Sequence, residues 1–172
     1  SYFEDILETA STAGFNELAL LVNPQSRMAE HLGLAEVAKE LGMVVNMTTT
    51  HQVILSMSPT LLRNFDIISM SVDTERFANP EQATTFVEKA AAYLDDNGWK
   101  GHFNVNLTYS VEVFDWVKDP SFIKRLDRRS SSISHLMMKP LAQNYGSMER
   151  FEELFQEAFE LEHLDITGTK TQ

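Results

Sequence analysis

Five short segments of this chain alternate polar and apolar residues, and a helix-like stretch separates each from the next. The polar sets are Asn46, Thr48, Thr50; Ser69, Ser71, Asp73; His102, Asn104, Asn106, Thr108; His135, Lys139; and His163, Asp165, Thr167. The interleaved apolar sets are Val45, Met47; Ile68, Met70, Val72; Phe103, Val105, Leu107; Leu136, Met138; and Leu164, Ile166. Successive side chains of a strand point to opposite faces, so each segment has one polar and one apolar face. Parallel strands need crossover helices, and those helices must cover the apolar face. The polar face then looks into a concave lumen. A filled barrel interior is branched and apolar; a polar one leaves room for a polar ligand.

The rest of the pattern agrees. Phe3, Ile6, Leu7 and Ala10 recur at helical spacing, as do Leu34, Val37, Ala38 and Leu41. Leu18 to Val22 reads as a buried strand and Phe65 to Val72 as the third strand, while residues 111–117 and 121–128 read as helical pieces interrupted by Asp119-Pro120. Ser58-Pro59 and Asn79-Pro80 pair an N-cap with proline at the first helical position, and Asn97-Gly98 is a helix stop. His51 to Met57 fits neither period. A helix over residues 147–162 carries Phe151, Phe155 and Phe159 as a core stripe, and a last strand follows at His163 to Thr167. The order predicts one α/β domain over residues 1–167 with a frayed tail at 168–172. Its expected architecture is an open or partial TIM-like (β/α)6 barrel, with a mostly parallel sheet and helices outside.

The formal net charge is -11, so duplex nucleic acid is an unsuitable partner. The basic cluster Lys124, Arg125, Arg128, Arg129 reads as a solvated helix face. There is no run of about 18 apolar residues and no signal layout at the start, so neither a membrane span nor export is expected, and a cytoplasmic location follows. Cysteine is absent, which excludes disulfides, a cysteine nucleophile and an iron–sulfur cluster held by this chain's own thiolates.

Over most of its length, from Phe3 to about Phe159, the chain resembles the radical S-adenosylmethionine superfamily. The resemblance is carried by residues 13–20, 34–50, Asp66-Ile67-Ile68-Ser69-Met70-Ser71-Val72-Asp73, and His135-Leu136-Met137-Met138-Lys139-Pro140-Leu141. It implies S-adenosylmethionine and a 4Fe-4S cluster as cofactors, with Ser71 and Asp73 on the ribose hydroxyls. Two features depart from it. The family's three-cysteine CxxxCxxC segment would precede Ser1. The loop that grips the methionine amino group is here Val22-Asn23-Pro24-Gln25, with an amide replacing the carboxylate. The chain is then a fragment or a degenerate member of such an enzyme, inactive alone. The alternative is a non-catalytic α/β barrel serving as a ligand-binding or interaction module, completed by other segments or subunits.

The candidate cofactor-binding residues are Asn23, Gln25, Thr48, Ser69, Ser71 and Asp73. The candidate substrate-binding residues are Asn104, Asn106 and Lys139, for a small polar ligand. Asp73 is equally suited to capping the turn that follows it. Inward amides at 104 and 106 require a polar network or a ligand, because a buried amide without a partner is costly. His135, His163 and Asp165 could meet across adjacent strands as a metal site, though each reads more simply as structural. No metal ligands and no catalytic residue are assigned.

Overall fold

Four of the alternating segments join Glu17–Leu21 in a single parallel sheet. The computed structural model describes residues 2–24, 28–109, 111–128 and 133–140, together with 153, 156 and 157. Along the chain come α1 (Tyr2–Thr12), β1 (Glu17–Leu21), α2 (Met28–Glu40), β2 (Val44–Thr49), α3 (His51–Ser56) and α4 (Pro59–Leu62). Then follow β3 (Ile67–Val72), α5 (Pro80–Asp96), β4 (His102–Tyr109), α6 (Val111–Lys118), α7 (Pro120–Arg128) and β5 (Ile133–Pro140). The strand order is β1-β2-β3-β4-β5 and every neighbouring pair is parallel. Crossovers between parallel strands are right-handed. Here each one also steps in the same direction, so all the connecting helices fall on one side of the sheet. A doubly wound fold would reverse direction and place helices on both faces. The chain is therefore a partial TIM-like α/β barrel with its helices outside.

The face beneath the helices is apolar but for Thr49. Val45, Met47, Ile68, Met70, Val72, Phe103, Val105 and Leu107 are all 0% exposed. Ala35 and Ala38 of α2, Val87, Ala90 and Leu94 of α5, and Val113, Phe114 and Val117 of α6 belong to the same core. Burying each of the larger side chains contributes about 1.5–3 kcal/mol, which fixes which face of each strand turns outward.

Local chemistry sets the boundaries. Ser58 accepts from the Leu61 N–H at 3.3 Å and starts α4. Asn79 accepts from the Gln82 N–H at 2.8 Å, while Gln82 Oε1 accepts from the Ala78 N–H at 2.8 Å, a reciprocal cap on α5. Gly98 ends α5 at φ 67, with Gly98 N–H donating to Asp95 O and Trp99 N–H to Leu94 O, the Schellman pairing. Arg125 of α7 pairs with Glu81 and Glu88 of α5, tying the two helices together.

Three local features differ from the sequence reading. His51–Ser56 is a helix. β3 begins at Ile67 rather than Phe65, because the Phe65 N–H turns back to Leu62 O; Asp66 joins that turn to the strand. The Asp66 carboxylate takes Lys39 Nζ at 2.8 and 2.9 Å and the Val45 N–H at 2.8 Å. Helix α7 starts on Pro120, immediately after α6. Five strands are described rather than six; the expected strand His163–Thr167 and the tail 168–172 lie outside the described residues, and 153, 156 and 157 are helical. Among the described residues no helix is long and apolar enough to cross a membrane.

The β1 end of the sheet is unfinished. Tyr2, Phe3, Ile6, Phe15 and Leu21 are exposed there, Leu21 by 72%. Leu21 pairs with Thr48 and so stands on the sheet face opposite the helices.

Candidate functional site

That helix-free face carries the polar residues. The register aligns them in rows: Ala19, Asn46, Ile67 and His102 lie lowest, then Leu21, Thr48, Ser69, Asn104 and His135. Above them come Ser71, Asn106 and Met137, and then Thr108 and Lys139. Thr49 pairs with Met70, so Thr50 follows beside Ser71 with its backbone still extended, at φ -106 and ψ 161. By the same step Asp73 reaches the level of Thr108. The upper rows lie at the C-terminal ends of the strands, where βα-barrel sites are built.

Ser69, Asn106 and Thr50 are buried, at 5%, 3% and 5% exposure, while Asn46, Thr48, Ser71, Asn104 and Thr108 are half-buried. Asn104 Nδ2 donates to Ser69 Oγ at 3.4 Å, joining two candidates from different strands. Asn46 Nδ2 donates to Glu17 Oε1 at 3.4 Å. Among the described residues, five buried side-chain polar atoms lack a hydrogen-bond partner: Asn46 Oδ1, Thr50 Oγ1, His51 Nδ1, Asn106 Oδ1 and Arg125 Nε. Three of these five belong to the lumen face. Three buried polar groups on the helix side contrast with them: Thr49 donates to Val22 O at 2.7 Å, Thr84 to Pro80 O at 3.0 Å, and Trp99 Nε1 to Phe65 O at 2.9 Å. A buried polar atom without a partner costs about 1–3 kcal/mol. Most of that cost falls on the face opposite the described helices.

At the upper rim Asp73 is engaged by its own turn. Its Oδ1 accepts from the Arg76 N–H at 3.0 Å and its Oδ2 pairs with the Arg76 guanidinium. This is the turn-capping role that its sequence also allows. Beside it, His51 packs at a tilt against Phe77 and Phe86, with ring centroids 5.2 and 4.3 Å away, and the two phenyl rings also meet each other at 5.9 Å. Burial, and then the Arg76 charge, holds the His51 pKa below its ordinary value, so the ring is neutral at pH 7. Arg76 and His51 were not singled out as site residues by sequence. Asp73 followed three places later by Arg76 is the one signal that could have found the pair.

The structure thus brings Thr48, Ser69 and Asn104 into one row and Ser71 and Asn106 into the next. Asn23 is exposed and follows the end of β1, level with Thr50 by the same step in register. Gln25 lies outside the described residues, as do His163 and Asp165. Lys139 is placed by its backbone opposite Thr108, and His135 opposite Asn104; their side chains are outside the described ones. Among the described residues no group of three or more His, Asp or Glu could hold a metal.

A separate cleft of about 430 Å³ opens at the other end of the strands, lined by Arg63, Asp66, Trp99, Lys100 and Gly101 among others. Arg63 and Lys100 follow the C-terminal ends of α4 and α5, where the helix dipole suits a cation. Asp66, held below the usual carboxylate range, anchors this end: burial alone would raise its pKa, but the Lys39 and Val45 hydrogen bonds and the Lys39 charge outweigh it. Conserving the barrel's closed end is a structural task, and this cleft reads accordingly.

No family model matches the chain, and no curated protein matches it. Among solved structures it is similar to a D-psicose 3-epimerase crystallised in the presence of D-fructose, at 13% identity and a TM-score of 0.46. The match covers 80% of this chain and 58% of that one, so the chain spans less than two thirds of its neighbour's length. The fold assignment rests on the strand order and the one-sided helices, not on this likeness.

Proposed function

We propose that this chain is the polar wall of a β/α barrel that binds a small polar ligand across the C-terminal ends of β2, β3 and β4. One observation carries the reading: three of the five buried side-chain atoms without a partner among the described residues, Asn46 Oδ1, Thr50 Oγ1 and Asn106 Oδ1, lie together on the face opposite the helices, while Thr49, Thr84 and Trp99 on the helix side are bonded. The form of the ligand suggested by the sequence resemblance is S-adenosylmethionine, with its ribose near Ser71 and its adenosine along Thr48 and Asn106. Hydroxyl and amide side chains suit that half of the molecule. The Asp73 carboxylate is shared with Arg76 and contributes less than the resemblance implies. A 4Fe-4S cluster does not fit the residues of this chain: it has no cysteine, and no reaction step is derived through the cluster. Catalysis, if the whole barrel performs any, would draw on groups from outside this chain.

The exposed Leu21 and Phe15 at the β1 edge support the companion proposal that further segments or subunits complete the barrel there. Titration with S-adenosylmethionine, adenosine and methionine, followed by backbone amide NMR, tests the reading. Shifts from S-adenosylmethionine and adenosine confined to Thr48, Thr50, Ser71 and Asn106 are expected. Saturable binding elsewhere, or none by any of the three, would sink the assignment.

A further inference from the structure

We propose that the lumen below the rim selects an uncharged ligand rich in hydrogen-bond donors, of the polyol or sugar class; this rests on the reading of the face as a binding wall. The first argument is the sign of the missing partners. Asn46 Oδ1 and Asn106 Oδ1 can only accept, and the Thr50 hydroxyl can accept as well as donate. The Asn46 amide cannot turn to offer its NH₂ group without giving up Glu17. Such a wall is completed by O–H or N–H groups. A carboxylate or phosphate, which offers only acceptors at neutral pH, would leave these atoms as they are and add repulsion.

The second argument is charge. Across the three lower rows, from β2 to β4, no Asp, Glu, Lys or Arg occurs. The charges sit at the margins: Glu17 on Asn46 at the bottom edge, Asp73 paired with Arg76 at the rim, and Lys139 in the top row. An ion carried below the rim would lose its hydration and meet no opposite charge, which is strongly unfavourable. A neutral hydroxylated molecule exchanges water hydrogen bonds for protein ones at little loss.

The third argument is spacing. Thr50, Ser71 and Asn106 lie side by side on three adjacent strands, so the outer two are about 10 Å apart at roughly 4.8 Å per strand. Two hydrogen bonds of about 2.8 Å leave roughly 4–5 Å between the ligand's own oxygens. That is the separation of non-adjacent hydroxyls on a pentose or hexose.

The test uses the full chain and four probes of similar size: D-glucose and D-glucitol as neutral ligands, D-gluconate and D-glucose 6-phosphate as charged ones. Amide NMR titration reads the affinity of each. The neutral pair should shift Thr50, Ser71 and Asn106 saturably, and the charged pair should bind at least about tenfold more weakly. Asn106→Leu and Thr50→Val, both expected to fold, should each weaken the neutral probes about tenfold, the equivalent of one hydrogen bond lost. Equal or tighter binding of the charged probes would overturn the inference, as would neutral binding that both variants leave unchanged. No binding of any probe overturns it too. In that case saturable S-adenosylmethionine binding at the same amides would leave the proposed function standing, and its absence would remove both.

Discussion

Thr50→Val should stabilise this protein, against the ordinary rule for its position. Thr50 is the N-cap of α3, and losing a threonine cap usually costs about 1 kcal/mol because the hydroxyl accepts from an N–H of the first turn. Here that bond is not made. The hydroxyl is instead buried, on a residue 5% exposed, with no partner at all. Valine keeps the shape and removes the oxygen. It also suits the extended backbone of the site, at φ -106 and ψ 161. Removing a buried hydroxyl that lacks a partner should return roughly 1 kcal/mol of the 1–3 kcal/mol such a group costs. With a urea m-value of about 1–3 kcal/mol per molar, the midpoint should rise by roughly 0.5 M.

Equilibrium urea unfolding, followed by circular dichroism on wild type and variant, measures this directly. Ser58→Ala belongs in the same experiment, because Ser58 does cap α4 and should cost about 1 kcal/mol. A rise for Thr50→Val beside a fall for Ser58→Ala is the expected result. A loss of 1 kcal/mol or more in Thr50→Val would mean the hydroxyl is bonded in the molecule, and the argument from partnerless lumen atoms would fail with it.

Asn79→Ala should lower stability by about 1 kcal/mol, read as a lower urea midpoint, since it breaks the reciprocal cap on α5. Gly101→Ala should cost roughly 1–3 kcal/mol in the same assay, because a Cβ there would collide with the Trp99 ring and the Asp66 carbonyl oxygen. Asp66 supplies a pH dependence. Its folded pKa is depressed below the ordinary carboxylate value of 3.8, so its contribution is complete above that value and is lost as pH falls through the folded one. Both partners of the Lys39 pair are about a third exposed, at 34% and 38%, so solvent screening limits the effect to roughly 1 kcal/mol. Asp66→Asn should flatten that acid limb of a stability-versus-pH curve below about pH 4, and an unchanged limb would place its origin in other carboxylates.

The sheet was legible because its signal is local. Met47, Met70 and Val105 alternate with Thr48, Ser69 and Asn104, and period two leaves each set only one face to occupy. The caps at Ser58 and Asn79 were legible for the same reason. Helix α3 was not, because Val53, Ile54 and Leu55 favour neither state decisively and six residues are too few to show a helical period. The start of β3 was misplaced because Phe65 closes the turn after α4 through its N–H and accepts through its carbonyl from Trp99, 34 residues away. The Arg125 pairs with Glu81 and Glu88 span 44 and 37 residues and leave no trace in any short window.

The site was legible as a set of residues but not as a state of bonding. Sequence places Asn104 and Asn106 on one face and says that each needs a partner. Only the fold gives Asn104 a link to Ser69 while leaving Asn106 Oδ1 with none. The same holds for Thr49 and Thr50, adjacent and chemically identical, one satisfied by Val22 and the other left without a partner. Selection for stability alone would remove such atoms, because an apolar isostere at either position avoids the desolvation cost. A face that keeps them trades stability for something else. On the face opposite the helices, where three such atoms gather on neighbouring strands, contact with a ligand is the use that the chemistry of those atoms fits.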